Sequence, residues 1–238
     1  MKKAIIIGAS SGIGKELTKK FASHGYEVGI AARRTDLLND LVLEIPTKTY
    51  IATIDISNTD EAIQSLEKLI KDMSDVDVIV ISSGIGHINP LLDWSREKET
   101  IDTNVSGFVA MAGVAMHYFI QKGSGHLVGI SSVAGIRGSN DGPAYNASKA
   151  FISNYLEGLS KKVAKEKLAI TITDIQPGFV DTAMAKGDGL FWVASPSKAA
   201  KQIYKVIQQK KKKAYITKRW TIIAWVLKII PDFIYNRI

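Results

Sequence analysis

Short apolar runs alternate along this chain with longer stretches in which apolar residues recur every three or four positions. The runs are rich in isoleucine and valine, which is typical of strands buried on both faces. They lie at residues 4–7, 28–31, 49–54, 76–81, 126–130 and 169–175. The stretches with helical spacing lie at residues 16–24, 37–44, 61–71, 99–122, 147–167 and 198–210. This alternation predicts an α/β fold, a doubly wound parallel sheet with helices on both faces.

The composition is that of one globular domain, because 238 residues with 46% hydrophobic and 23% charged side chains can form a large core. The chain has no cysteine, which excludes disulfides, thiolate metal sites and a cysteine nucleophile, and its four histidines are scattered. We therefore expect no metal. The N-terminal apolar run is too short for a signal peptide, so we expect a cytoplasmic protein, with membrane association left open.

The net charge of +8 is concentrated at the C-terminus. Residues 205–238 contain nine Lys or Arg and one Asp, so this region accounts for the whole excess. A surface that follows nucleic-acid phosphates needs basic residues spread over the binding face. We therefore expect no nucleic-acid partner.

A glycine-rich turn joins the first strand to the first helix. Its sequence is Gly-Ala-Ser-Ser-Gly-Ile-Gly at positions 8–14. Glycines let the backbone turn sharply and approach a pyrophosphate, whose charge is favoured by free N–H groups at a helix N-terminus. A turn of small residues made only for packing is the alternative. The candidate cofactor-binding residues of this turn are Gly8, Ser10, Ser11, Gly12, Ile13 and Gly14.

The second strand is followed by Arg33 and Arg34, where an NAD-binding site would have an acidic residue for the ribose hydroxyls. Arginine suits the 2′-phosphate of NADP(H), and Arg33, next to the strand end, is the stronger candidate. Two solvated arginines are the alternative. Asp55, after the third strand, could bind the adenine amino group or could simply form a turn.

Tyr145 and Lys149 are four residues apart at the start of a predicted helix, so both side chains lie on one face. A phenol is a poor base at neutral pH, but a nearby ammonium lowers its pKa toward the working range. Such a tyrosine can exchange a proton with a substrate oxygen. A half-buried tyrosine beside a solvated lysine is the plain alternative. Ser132, at the end of the fifth strand, lies where parallel sheets bind ligands.

Taken together, these motifs resemble the short-chain dehydrogenase/reductase family over about residues 3–210. The matching positions, in the family's order, are Gly8-x-x-x-Gly12-x-Gly14, Asn104, Ser132, Tyr145-x-x-x-Lys149 and Pro177-Gly178. The resemblance implies a Rossmann-like fold in which Tyr145 is the general acid/base and Ser132 steadies the carbonyl. It also implies that Lys149 lowers the tyrosine pKa and holds the nicotinamide ribose, while Asn104 positions a proton-relay water.

The resemblance extends the cofactor site to other positions, with two departures from the family pattern. The further cofactor-binding residues that it implies are Ile56, Gly84, Pro177, Gly178, Val180 and Thr182. The family often has Asn-Asn-Ala-Gly where this chain has Ile-Ser-Ser-Gly at 81–84, and Ile7 replaces a common threonine. We expect these departures to change individual hydrogen bonds to the cofactor and to leave cofactor binding intact.

The predicted function is that of an NADP(H)-dependent carbonyl reductase with a hydrophobic substrate, acting as a homodimer or homotetramer. The catalytic domain is predicted at residues 1–213, with a substrate lid at about 183–200, and a basic, apolar extension at 214–238. The apolar run 221–227 is too short to span a bilayer. We favour packing of the extension on the domain or a subunit over membrane contact. A non-catalytic NADP(H)-binding regulator and a peripheral membrane protein are the alternatives.

Overall fold

A computed structural model of the chain describes residues 1–184 and 190–237. Its strands are β1 (Lys3–Ile7), β2 (Glu27–Ala32), β3 (Thr49–Thr53), β4 (Val78–Ile81), β5 (Ser124–Ile130), β6 (Ala169–Pro177) and β7 (Lys213–Ile216). Its helices are α1 (Gly12–Ala22), α2 (Thr35–Leu43), α3 (Thr59–Met73), α4 (Trp94–Ile101), α5 (Phe108–Lys122), α6 (Pro143–Lys165), α7 (Pro196–Gln208), α8 (Trp220–Ile229) and α9 (Asp232–Tyr235).

The strands form one parallel sheet in the order β3-β2-β1-β4-β5-β6-β7. Alternate residues of each strand point to opposite faces, so β1 contributes Ile5 and Ile7 to one core and Ile6 to the other. Helices α3, α5 and α6 cover the first core, and α1, α2 and α7 cover the second. The predicted single-domain, doubly wound fold is confirmed.

The strand order reverses between β1 and β4, which lie side by side although β2 and β3 separate them in sequence. Connections that leave in opposite directions open a crevice at the carboxyl ends of these two strands. The glycine-rich turn follows β1 and residues 82–84 follow β4, so both line this crevice. The topology therefore locates the expected ligand site.

The helix predicted at 99–122 is interrupted. A π-helical segment, Asp102–Gly107, separates α4 from α5. In a π-helix the backbone hydrogen bonds join residues five apart instead of four, and this local change left the helical spacing of apolar residues readable on both sides, so periodicity did not indicate it. Helix α6 also begins at Pro143, earlier than the predicted 147, and so includes Tyr145.

The sheet continues past residue 213, where the sequence analysis placed the end of the catalytic domain. Strand β7 pairs with β6, and Lys213 is opposite Asp174. This strand is short, lies at the sheet edge and is fully buried only at Ile216, so it lacks the apolar run of a central strand. The C-terminal extension therefore begins after β7.

The extension packs on the domain, as favoured from the sequence. Trp220 of α8 is buried with 5% of its surface exposed. Arg137 donates to the Asp232 carboxylate of α9 at 2.6 Å. The Tyr235 hydroxyl donates to the Gly138 carbonyl, also at 2.6 Å. Both ends of this helical hairpin are thus attached to the domain.

One helical run, Trp94–Lys122, is long and apolar enough to cross a membrane by length and composition alone. Its most apolar window is 56% buried inside the protein. The run contains α4, the π-helical segment and α5, and α5 packs in the core beneath the sheet. Its hydrophobicity is that of a core helix.

Candidate active site

Two positions of the turn after β1 have room only for glycine. Gly8 has φ +92°, and a Cβ there would lie 2.6 Å from the Ser83 backbone nitrogen. A Cβ on Gly14 would lie 2.1 Å from the Gly8 carbonyl oxygen. The Gly8 N–H donates to the Ala31 carbonyl at 2.7 Å, which ties the turn to β2. The turn is therefore a fixed, closely packed loop with its backbone at the crevice.

This loop fits the pyrophosphate of a dinucleotide. Helix α1 begins at Gly12, and the hydroxyl of its N-cap residue, Ser11, makes no capping hydrogen bond. The first turn of α1 has no acidic residue, so nothing there repels an anion from the helix N-terminus. Ile13 lies in this first turn, and Thr182 lies across the crevice, with its Cγ2 3.0 Å from the Cβ position of Gly12. The loop and the segment after β6 thus form opposite sides of one cleft.

The two arginines after β2 have different partners. Arg34 donates to the hydroxyls of Ser10 and Ser11 at 3.1 and 3.0 Å, so its guanidinium lies against the glycine-rich loop. Arg33 faces Asp55, with Nη1 3.9 Å from Oδ2 and about half of its side chain exposed. Both cations therefore stand at the rim of the loop, and Arg34, the weaker candidate from sequence, has the direct contact.

Asp55 forms a local turn. Its Oδ1 accepts from the Ser57 N–H at 3.0 Å and from the Ser57 hydroxyl at 2.7 Å, which is the turn-forming alternative considered from sequence. The next residue, Ile56, is buried, and its carbonyl oxygen lies 2.4 Å from the Cβ position of Gly107 in the π-helical segment. This loop therefore connects the cofactor cleft to the π-helical segment.

Ser132, Tyr145 and Lys149 lie on adjacent elements beside the cleft. Ser132 follows β5 and caps a short 3-10 turn, accepting from the Ala134 N–H at 3.1 Å and donating to the Pro177 carbonyl at 3.3 Å. Tyr145 lies in the first turn of α6, and Lys149 is one turn further on. The Lys149 ammonium is 5.7 Å from the centre of the Tyr145 ring. The helical spacing thus brings the two side chains together as predicted.

Burial sets the proton affinities of this group. Lys149 is 4% exposed and donates to the Ile130 carbonyl at 3.2 Å. Burial lowers the pKa of Lys149 to about 8, and the negative charge of Asp174 partly opposes this shift. Burial raises the pKa of Tyr145 above its usual value, contrary to the lowering expected from Lys149, and the nearby Ser132 hydroxyl only partly opposes this shift. The phenol of Tyr145 is therefore kept neutral. Beside it, Lys149 loses its proton at a lower pH than an exposed lysine does.

Asn104 of the π-helical segment forms hydrogen bonds with the loop after β4 and with α6. Its Oδ1 accepts from the Ile85 N–H at 2.9 Å, and its Nδ2 donates to the Ile85 carbonyl at 2.7 Å and to the Ser148 hydroxyl at 3.0 Å. A Cβ on Gly84 would lie 3.2 Å from the Lys149 ammonium and 3.3 Å from Asn104 Oδ1. The loop after β4, the π-helical segment and α6 are therefore held in one arrangement around Lys149.

The segment after β6 connects the cleft to the extension. The Gly178 N–H donates to the Ile216 carbonyl at 2.6 Å, and a Cβ on Gly178 would lie 2.0 Å from the Trp220 ring. Val180 is buried and forms an isolated parallel bridge with Ala194. Gly178 was predicted as a cofactor contact, and its small size is also required by the tryptophan that covers it.

The described part of the predicted lid is aromatic. Phe191 stacks on Trp220 with ring centres 5.1 Å apart, and Phe179 meets both rings edge to face. Trp192 is next to Phe191, with ring centres 5.6 Å apart. Residues 185–189 of the predicted lid lie outside the described residues. The aromatic cluster Phe179, Phe191, Trp192 and Trp220 thus joins the lid to α8.

Several contacts of the site were not foreseen from sequence. Gly86 packs flat against the phenol, because a Cβ there would lie 2.9 Å from Tyr145 Cδ2. Ser148 donates to the Tyr145 carbonyl at 2.7 Å while it accepts from Asn104. Trp220 lies in a region that composition marked only as basic and apolar. Ser148 lies between Tyr145 and Lys149 in the sequence, which marks it as close to the site but does not indicate its contact with Asn104.

A family model for short chain dehydrogenases matches residues 2–190, which include the glycine-rich loop, Asn104, Ser132, Tyr145 and Lys149. The chain belongs to the short-chain dehydrogenase family. Short-chain dehydrogenases use NAD(H) or NADP(H) and act on small molecules. The protein is accordingly an oxidoreductase of this type.

Two curated relatives and one solved structure illustrate this membership. Dehydrogenase/reductase SDR family member 7B of Danio rerio is 30% identical over an alignment that covers 100% of this chain and 84% of the relative. The 3-oxoacyl-[acyl-carrier-protein] reductase FabG of Chlamydia muridarum is 33% identical, covering 78% of this chain and 77% of its own. A short chain dehydrogenase/reductase from Burkholderia phymatum, crystallised with NAD, has a TM-score of 0.86 at 17% identity, covering 94% of this chain and 92% of its own. The solved structure shares the fold of this short-chain dehydrogenase.

Proposed function

We propose that this protein is an NADP(H)-dependent reductase that interconverts a carbonyl and an alcohol, with Tyr145 as its acid/base. The observation that carries the proposal is the arrangement of Ser132, Tyr145 and Lys149 beside the glycine-rich loop, with the ammonium 5.7 Å from the phenol ring. The reduced nicotinamide, when bound, supplies a hydride to the carbonyl carbon. Tyr145 gives the balancing proton to the carbonyl oxygen, so that an alcohol is formed.

Each neighbouring group has a separate task in this proton transfer. Ser132 donates a hydrogen bond to the carbonyl oxygen and so stabilises the charge that develops there. Lys149 holds the ribose and stabilises the phenolate that remains on Tyr145 after the proton has left. Asn104 holds a water that returns the proton through Lys149. The raised pKa of Tyr145 favours the protonated phenol, which is the form that carbonyl reduction requires at the start.

The remaining predicted residues support a cofactor with a 2′-phosphate. Gly8, Gly12 and Gly14 let the pyrophosphate approach the backbone at the N-terminus of α1. Arg33, at the end of β2, has about half of its side chain exposed and would bind the extra phosphate, while Arg34 supports the loop through Ser10 and Ser11. At its nicotinamide end, the bound cofactor would be bordered by Gly84, Pro177, Val180 and Thr182. The aromatic lid favours a hydrophobic substrate.

The experiment compares two tyrosines of α6. Wild-type protein is first assayed with a panel of hydrophobic ketones by the loss of NADPH absorbance. On any ketone that is reduced, Tyr145→Phe should lower kcat by roughly 10²–10⁴-fold, because it removes the proton donor and keeps the ring. Tyr155→Phe is the matched control, since Tyr155 stacks on Phe151 away from the proposed site, and it should stay within a few-fold of wild type.

NADPH binding, followed by fluorescence, should be retained in both variants. A Tyr145→Phe protein with near-normal kcat would contradict the assigned role. The non-catalytic regulator remains the rival function, and it predicts NADPH binding without turnover of any ketone or alcohol. Turnover that depends on Tyr145 excludes the regulator.

A further inference from the structure

The outer side of α8 is apolar and faces away from the domain. Ile222, Trp225, Val226 and Ile229 recur three and four positions apart, so they lie on one side of the helix. Ile222 and Trp225 are each 63% exposed, and Phe233 of α9 is 67% exposed. We call these five residues the outer apolar face. A contiguous patch of exposed large apolar side chains marks an interaction surface.

The opposite side of α8 is already in contact with the domain. Trp220 and Ala224 are buried there, and Arg137 contacts both the Ile230 carbonyl and the Asp232 carboxylate. The hairpin therefore cannot rotate to hide its outer apolar face without losing these contacts. An isolated helix at a membrane surface needs a polar side that faces water. In α8 the side away from the outer apolar face packs on the domain, so that side can be apolar as well. The almost uniformly apolar sequence of α8 is therefore compatible with a position at a membrane surface.

The outer apolar face is bordered by positive charge. Lys218, Arg219, Lys228 and Arg237 are all exposed. Across residues 1–184 and 190–237, none of the ion pairs involves any of these four side chains. The whole net charge of +8 also lies in residues 205–238. The positive charge around the outer apolar face is therefore not neutralised by acidic side chains of the described residues, and it would attract an anionic partner.

We propose that the α8–α9 hairpin docks on a lipid bilayer that contains anionic headgroups. The outer apolar face would enter the boundary between headgroups and acyl chains, and the flanking Lys and Arg would contact the headgroups. A second copy of the chain is the competing occupant. A two-fold contact through this face would bring two basic extensions together, so that electrostatic repulsion opposes it.

Docking in this way would turn the substrate side of the protein toward the bilayer. The hairpin is held by Arg137 and Gly138, which lie in the segment between Ser132 and Tyr145. On its other side, Trp220 stacks on Phe191 of the lid. The surface that meets the membrane therefore borders the entrance of the proposed site. The docking proposal does not depend on the chemistry proposed for that site.

The experiment measures co-sedimentation of the full chain with vesicles. Vesicles of phosphatidylcholine alone are compared with vesicles that also contain phosphatidylserine, each at low and high salt. We expect binding to the phosphatidylserine vesicles that weakens several-fold at high salt. Ile222→Asp should weaken this binding about tenfold or more, because it removes an exposed aliphatic group that would enter the bilayer and adds a negative charge. Lys228→Glu should weaken it roughly tenfold.

Matched controls place the same changes elsewhere on the surface. Leu43→Asp alters an aliphatic residue that is 86% exposed at the end of α2, and Lys161→Glu alters an exposed lysine of α6. Both should bind vesicles like wild type. Circular dichroism and reduction of a water-soluble ketone report whether each variant is folded, so loss of docking and loss of the proposed reaction are seen separately.

Three outcomes would overturn the proposal. Intact protein that stays in the supernatant with phosphatidylserine vesicles would do so, as would equal binding by all four variants. The third is self-association: if sedimentation velocity shows a wild-type dimer that Ile222→Asp converts to monomer, and vesicles are ignored, the outer apolar face is an interface between copies.

Discussion

Two neighbouring arginines provide a test of cofactor choice at the level of single side chains. Within residues 1–184 and 190–237, the charged partner of Arg33 is Asp55, at 3.9 Å, and about half of the arginine side chain is exposed to a charged phosphate. Arg33→Ala should weaken NADPH binding by about 1.5–3 kcal/mol, which is roughly 10–150-fold, and leave NADH binding nearly unchanged. Arg34 instead supports Ser10 and Ser11 of the loop, so Arg34→Ala should weaken both cofactors.

Dissociation constants for NADPH and NADH, measured by fluorescence titration of wild type and both variants, check this pair of expectations. Lys20→Ala, a half-buried lysine in the last turn of α1, serves as a control for general loss of positive charge. Equal losses of NADPH and NADH in Arg33→Ala would show that this side chain does not recognise the 2′-phosphate. An unaltered Arg34→Ala protein would show that the loop serines hold their position without it.

Contacts between residues that are close in sequence could be predicted. Contacts between residues that are far apart in sequence could not. Tyr145 and Lys149 lie together because a helix turns once every 3.6 residues, which the sequence alone determines. The contact between Asn104 and Ser148 joins residues 44 positions apart, and no pattern near either residue reports it. The same holds for Gly178, whose neighbour Trp220 belongs to an element that the motif does not reach.

At the scale of elements, buried strands were predicted well and irregular or edge elements were not. The central strands β1, β4 and β5 are buried along most of their length, so their isoleucine and valine runs are visible in sequence. Strand β7 is buried only at Ile216, and its lysine-rich start resembles a loop. The π-helical segment inserts one residue into a helix whose apolar pattern continues on both sides. Strand β7 depends on its pairing with β6, and the π-helical segment depends on a local shift of backbone hydrogen bonds, so neither leaves a periodic signal in the sequence.

The contact between α8 and the segment after β6 can be tested by paired substitutions. Gly178→Ala places a methyl group 2.0 Å from the Trp220 ring, so α8 must shift, at a cost of about 1–3 kcal/mol in the free energy of unfolding. Trp220→Ala should cost about 3–5 kcal/mol through the cavity that it leaves. The double variant should be no less stable than Trp220→Ala alone, because the methyl group then has space.

Urea unfolding followed by circular dichroism measures all three free energies of unfolding. Gly158→Ala is the matched control, since a Cβ there meets nothing within 4 Å, and it should be neutral or stabilising by up to about 1 kcal/mol. Additive losses in the double variant would mean that Gly178 and Trp220 do not compete for the same space. Trp220→Ala is also expected to alter KM for the ketone, because Phe191 loses its stacking partner.

At the scale of the whole molecule, a buried histidine couples global unfolding to pH. His126 lies in β5 with 5% of its surface exposed. Its Nε2 is 2.7 Å from the hydroxyl oxygen of Thr173, whose own proton is donated to the Lys211 carbonyl at 2.6 Å. Nε2 must therefore carry the hydrogen, and the neutral ring already satisfies this contact. Burial lowers the pKa of His126 to about 4, and the charge of Lys210 adds to the shift.

Because the folded pKa of His126 lies below its usual 6.5, the unfolded chain binds the extra proton first as pH falls. The folded protein should therefore lose stability between about pH 6.5 and 4, by roughly 3 kcal/mol in total from this residue. His126→Gln keeps a donor for Thr173 and cannot titrate, so its free energy of unfolding should fall less steeply over this range. Urea unfolding of both proteins at several pH values measures the difference in slope, and His24→Gln, an exposed substitution, should keep the wild-type slope. Parallel curves for wild type and His126→Gln would mean that the ring is protonated equally in the folded and unfolded chain, and that the sheet tolerates a charge at β5.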